Sequence, residues 1–119
     1  MGVGQVDIDF ARLREVDALF KVRWEAFALA SLANGPLRYR QLWRAVRRNT
    51  QENIKDTTFA RLAKKLIAAG YIVQMTADVR PSYALTSKGR EVVQRIVGLI
   101  EAMDLMSEAI QESRVEADS

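Results

Sequence analysis

With 119 residues, 49% of them apolar and 28% charged, the chain is long enough for one modest hydrophobic core. It contains no cysteine and no histidine, which excludes disulfides, thiol redox sensing, thiolate zinc sites, Ser-His-Asp catalysis and the commonest metal ligand. The net charge of +3 hides a segregation: residues 1–36 carry −1, residues 37–90 carry +9 and residues 91–119 carry −5, and a basic middle between acidic flanks is the footprint of a polyanion-binding surface.

The N-terminus, MGVGQVDIDF, lacks the basic-then-apolar layout of a secretion signal, and no apolar run reaches the length of a membrane span. Cytoplasmic, nucleoid-associated residence is the expectation. In residues 7–20, Phe10, Leu13, Val16 (or Asp17) and Phe20 stand near helical spacing, with Asp7 or Asp9 as the cap. Residues 23–33 are apolar nearly all round, with Trp24, Phe27, Ala28 and Leu32, so this helix belongs in the middle of a core. Asn34-Gly35-Pro36 ends it.

Two basic helices follow. The first spans about 39–47, with Tyr39, Leu42, Trp43 and Val46 inward and arginines outward, and a polar loop runs from Asn49 to Asn53. The second, about 56–69, turns Ile54, Phe59, Leu62, Leu66 and Ile67 inward and Lys55, Thr57, Thr58, Arg61, Lys64 and Lys65 outward, with Asp56 as its cap and Gly70 as its stop. Two short helices joined by a few polar residues form a helix-turn-helix, the second being the reader of a major groove. Residues 71–86 then switch to an alternating pattern that predicts a β-hairpin, a wing with Arg80 near its tip. Thr86 or Ser87 caps the last helix, about 88–112. There Val92, Ile96, Leu99, Met103, Met106 and Ile110 step by 4, 3, 4, 3 and 4, a heptad seam longer than so small a core can cover. The expected fold is mainly α with a small β-hairpin (α+β), one domain over 1–119 with a winged core at 23–95. A second copy is expected on the seam through Phe10, Leu13, Ile96, Leu99, Met103, Met106 and Ile110.

Three runs in order, NGPLRYRQLWRAV, TFARLAKKLIAAGYI and RPSYALTSKGREVV, resemble the winged helix-turn-helix of bacterial regulators of the MarR and HxlR types, with PadR a near relative. The matches are the Gly-Pro-Leu-Arg-Tyr opening, the Leu66 to Ile72 exit of the recognition helix, and the Arg80 to Gly89 exit of the wing, within residues 23–95. HxlR-type members commonly carry an N-terminal cysteine, and this chain has none. The resemblance implies a homodimeric regulator, a repressor, that binds palindromic double-stranded DNA, with no enzymatic activity and no cofactor. Candidate DNA-binding residues are Arg38, Arg40, Lys55, Thr57, Thr58, Arg61, Lys64, Lys65, Arg80 and Lys88. Arg61 suits guanine and the threonines a thymine methyl; the others suit phosphates. Arg47, Arg48 and Arg90 are further phosphate candidates. Trp24, Phe27, Tyr39 and Trp43 are read as core; the MarR resemblance also allows a crevice there for an effector of unknown identity. A DNA-organising or plasmid-partition role and a protein-interaction module are the alternative functions.

Overall fold

The computed structural model describes residues 6–76 and 80–118, with side chains described through 113. Helix α1 spans Phe10–Phe20 and α2 spans Arg23–Ser31. Asp9 caps α1 by accepting from the Arg12 N–H at 3.2 Å. Ala26, Phe27, Ala28, Leu29 and Ala30 are all buried, as a helix apolar on every side requires. A two-residue strand β1, Leu37–Arg38, leads into α3, Tyr39–Thr50, and α4 follows as Asp56–Ala68.

Helix α3 outlasts the expected 39–47. Its last turn holds Arg47 and Arg48, whose charges favour a helix C-terminus, and Gln51 closes it in the left-handed region at φ 61° with its N–H on the Arg47 carbonyl. The linker therefore shortens to about four residues. The cap of α4 is Lys55, and Asp56 is already the first helical residue. Its carboxylate accepts the Tyr39 hydroxyl at 2.7 Å, so it joins the two helices of the motif instead of capping one. Ile67, expected inward, is exposed.

Strands β2, Ile72–Met75, and β3, Ser82–Leu85, form the hairpin, with Ile72 opposite Leu85 and Met75 opposite Ser82. Residues 77–79 of the turn lie outside the described residues. Tyr83 and Leu85 point into the core while Ser82 and Ala84 do not, the expected alternation. β1 pairs with β3, Leu37 opposite Tyr83, and completes a sheet in the order β1-β3-β2. This is the winged helix-turn-helix architecture.

The root of the wing is fixed by one carbonyl. Tyr71 O accepts from the Thr86 N–H at 3.1 Å, and a Cβ placed on Gly89 would stand 2.1 Å from that same oxygen. Only glycine lets the last helix, α5 (Ser87–Asp118), start so close to the sheet. Thr86 caps α5 by accepting from the Gly89 N–H at 3.1 Å, while its hydroxyl donates to the Gly70 carbonyl at 2.6 Å. Core packing on α5 falls on Gly89, Val93, Ile96 and Ile100, in one hydrophobic cluster with Leu13, Val16, Phe27, Leu42, Phe59 and Leu66.

Candidate nucleic-acid interface

Helix α4 is two-sided. Phe59, Leu62, Ala63 and Leu66 are buried, and Thr57, Arg61 and Lys64 stand exposed on the opposite side at i, i+4 and i+7. Nothing in the fold engages Arg61 or Lys64 among the described residues. Thr58 is half-buried on the flank towards α2. On that flank Lys65 pairs with Glu25 of α2 at 3.2 Å, which turns its ammonium away from the reading face. Lys55 is exposed at the start of the helix.

Tyr39 and Trp43 hold α4 against α3. The Tyr39 ring meets Phe59 edge-on at 5.4 Å and lies 6.3 Å from Tyr83. Burial, then the hydrogen bond to Asp56, raise the pKa of its phenol well above the usual tyrosine value, so it stays a donor. Trp43 Nε1 donates to the Ile54 carbonyl at 2.8 Å, and Trp24 Nε1 donates to Glu52. Phe27 is buried and stacks with Phe10 at 6.4 Å. These four aromatics hold the scaffold together and do not line a common crevice. An apolar recess of about 430 Å³ lies elsewhere, between α2, α4 and α5, walled by Leu29, Leu66, Tyr71, Ile96 and Leu99, with Glu25, Lys65 and Arg95 also lining it.

Of the remaining candidates, Arg38, Arg40 and Arg80 are exposed and share a recess of about 610 Å³ between the start of α3 and the base of the wing. Arg44 lines the same recess. It was legible as the i+4 neighbour of Arg40, yet sequence reasoning left it out of the candidate set. Lys88 is engaged inside the fold: its Nζ donates to the Ala69 carbonyl at 2.9 Å and sits 4.7 Å from the Tyr71 ring centre. There it satisfies the open end of α4, so the expected phosphate contact gives way to a structural one. Arg47 donates to Asn53 Oδ1 at 2.9 Å and lies over the Trp43 ring at 5.2 Å.

The expected seam on α5 divides into two stripes. Ile96 belongs to the core stripe and is 4% exposed, and Leu13 is fully buried, so neither offers surface to a second copy. Phe10 and Met103 are half-buried against the same core. Leu99, Met106 and Ile110 form a second stripe, rotated from the first by roughly a quarter turn, and are 40%, 63% and 51% exposed. Leu105 on α5, and Leu19 and Phe20 at the end of α1, are bare as well.

The model of the HxlR-like helix-turn-helix family matches residues 19–112. The chain belongs to that family. This HxlR-like chain also shares its fold with solved regulators. YtfH of Salmonella typhimurium is 22% identical, with a TM-score of 0.57, covering 86% of this chain and 89% of that one. MepR, a transcription regulator of the Staphylococcus aureus multidrug efflux pump MepA, is 13% identical, with a TM-score of 0.63 and coverage of 91% and 82%. NadR in complex with 4-hydroxyphenylacetate is 16% identical, with a TM-score of 0.60 and coverage of 89% and 76%. The search of curated proteins returned no match. Membership of the HxlR-like family supports a DNA-binding transcription regulator. No helix among the described residues is long and apolar enough to cross a membrane.

Proposed function

We propose that the chain is a homodimeric, sequence-specific DNA-binding repressor that acts in the cytoplasm on a palindromic site. The observation that carries this reading is the outward face of α4, where Thr57, Arg61 and Lys64 stand free above a fully buried opposite face. A helix of 13 residues is about 20 Å long and fits the major groove lengthwise. Arg61 reads guanine O6 and N7, Thr57 touches a thymine methyl, and Lys64 meets a phosphate. Lys55, Arg38, Arg40 and Arg80 take backbone contacts on either side. The wing lies against the minor groove or its phosphates.

The bare stripe Leu99, Met106 and Ile110, with Leu105, Leu19 and Phe20, is the surface offered to the second copy. Burying one such side chain fully is worth about 1.5–3 kcal/mol, and six of them lie exposed on a chain this small. Dimerisation through α5 sets two α4 helices side by side, so half-sites about one DNA turn apart are expected. An effector, if one gates binding as the ligand-bound NadR suggests, belongs in the apolar recess beneath α4, where it would touch the Glu25–Lys65 pair.

The test is selection of bound duplex fragments from random and genomic pools with the purified protein. A discrete inverted repeat that is lost with Arg61→Ala supports the repressor reading. Salt-sensitive binding that spreads without a motif supports a DNA-organising role instead. Absence of binding even at low salt overturns both and directs attention to a protein partner.

A further inference from the structure

We propose that the outer wall of α3, formed by Arg40, Arg44 and Arg48, is a second phosphate track that grips duplex DNA flanking the segment read by α4. The proposal rests on the DNA-binding reading above and adds a contact which that reading does not need.

Direction is the first argument. Tyr39 and Trp43 are the α3 residues that face α4, through Asp56 and the Ile54 carbonyl. Arg40 and Arg44 each follow one of them by a single residue, which turns them about 100° round the helix. Leu42, Ala45 and Val46 are buried on the far side. The arginines therefore look outward, away from the groove that α4 would enter, and Arg44 shares its recess with Arg80 of the wing. Contacts made there fall on DNA beside the reading segment.

Charge is the second. Residues 37–51 contain five arginines and no acidic residue, and among the described residues none of the five is in an ion pair. Arg40 and Arg44, like Arg44 and Arg48, are like charges at i, i+4, an arrangement that weakens a helix. The helix dipole accounts for Arg47 and Arg48 in the last turn, but it opposes Arg40 near the positive end. Repulsion of this kind within the fold is relieved by a bound polyanion.

Shape is the third. Arg44 is the shared wall of two basic hollows. One, of about 610 Å³, also holds Arg38 and Arg40; the other, of about 400 Å³, also holds Arg47 and Arg48. Together they run the length of α3, about 18 Å. At one phosphate per 3.4 Å of axis on each strand, that length passes roughly five phosphates. Permanently charged, forked guanidinium groups suit such a row.

The experiment compares two duplexes across a salt series. One ends at the inverted repeat recovered by fragment selection, and the other carries about one further helical turn of arbitrary sequence at each end. Wild type is expected to bind the longer duplex more tightly and with a steeper salt slope. Arg44→Gln combined with Arg48→Gln is expected to lose that gain, to flatten the slope on the longer duplex by about 1.8, and to keep its preference for the repeat over a scrambled sequence. Arg44→Lys with Arg48→Lys is expected to keep most of the slope. Both positions are exposed, so the exchanges leave the core untouched. Wild type that prefers the repeat but gains nothing from the longer duplex overturns this proposal alone. So does a glutamine variant with the wild-type gain, or one whose loss is equal on both duplexes. Wild type without any preference for the repeat overturns the reading of α4 as well.

Discussion

Two regions of this chain are equally basic in sequence and opposite in use. At the corner where α4 ends, the wing begins and α5 starts, Lys65 pairs with Glu25, Lys88 donates to the Ala69 carbonyl, and Arg90 reaches the Leu85 carbonyl at 3.4 Å. On the outer faces of α3 and α4, Arg40, Arg44, Arg61 and Lys64 have no such partners among the described residues. The difference is a matter of helix ends. Open carbonyls at the end of α4 attract cations, whereas helix mid-faces offer nothing to hold them. Net charge cannot separate the two regions, and only the partnered atoms do.

That contrast can be broken at either region. The largest effect is expected from Gly89→Ala at the corner, where the new Cβ would stand 2.1 Å from a backbone oxygen that cannot easily retreat. Overpacking of this sort costs about 3 kcal/mol, and thermal unfolding should fall by on the order of 10 °C. On the outer face, Arg61→Ala should leave the melting temperature unchanged and weaken binding to the preferred duplex by about 1–3 kcal/mol in a titration at fixed salt. A melting loss with Arg61→Ala, or a mere binding loss with Gly89→Ala, would erase the distinction.

Smaller exchanges sharpen it. Thr86→Val removes the cap of α5 and the bond to the Gly70 carbonyl, and should lower stability by about 1–2 kcal/mol in a denaturant titration. The paired lysines give the finest test. Lys88→Met should lower stability by about 1 kcal/mol and leave the salt slope of DNA binding alone. Lys64→Met should do the reverse, reducing that slope by about 0.9.

Much of the fold was legible because its signals are local. The apolar periodicity of residues 10–20 and 23–31, the Asn34-Gly35-Pro36 stop and the alternation at Ser82 to Leu85 each speak for a neighbourhood of a few residues. What escaped depends on distant partners. Strand β1 is only Leu37 and Arg38, too short for a pattern, and it exists because β3 lies alongside. Asp56 has the composition of a cap, but the Tyr39 hydroxyl 17 residues away claims it. The heptad steps from Val92 to Ile110 are real, yet two stripes overlap within them, and only packing shows that Ile96 belongs to the chain's own core. For the candidate interface, the sequence marks which residues are basic and on which helix. It does not mark that Lys65 and Lys88 are already engaged, nor that Arg44 joins the hollow beside the wing.

The central claim is that the free face of α4 reads duplex DNA. It is tested most directly by titrating the wild type and Arg61→Ala against a selected duplex and its scrambled counterpart over a range of salt concentrations. The account predicts that wild type prefers the selected duplex, that Arg61→Ala binds both alike, and that both proteins keep a steep salt dependence. Equal binding of the two duplexes by wild type, or an undiminished preference in Arg61→Ala, would contradict it.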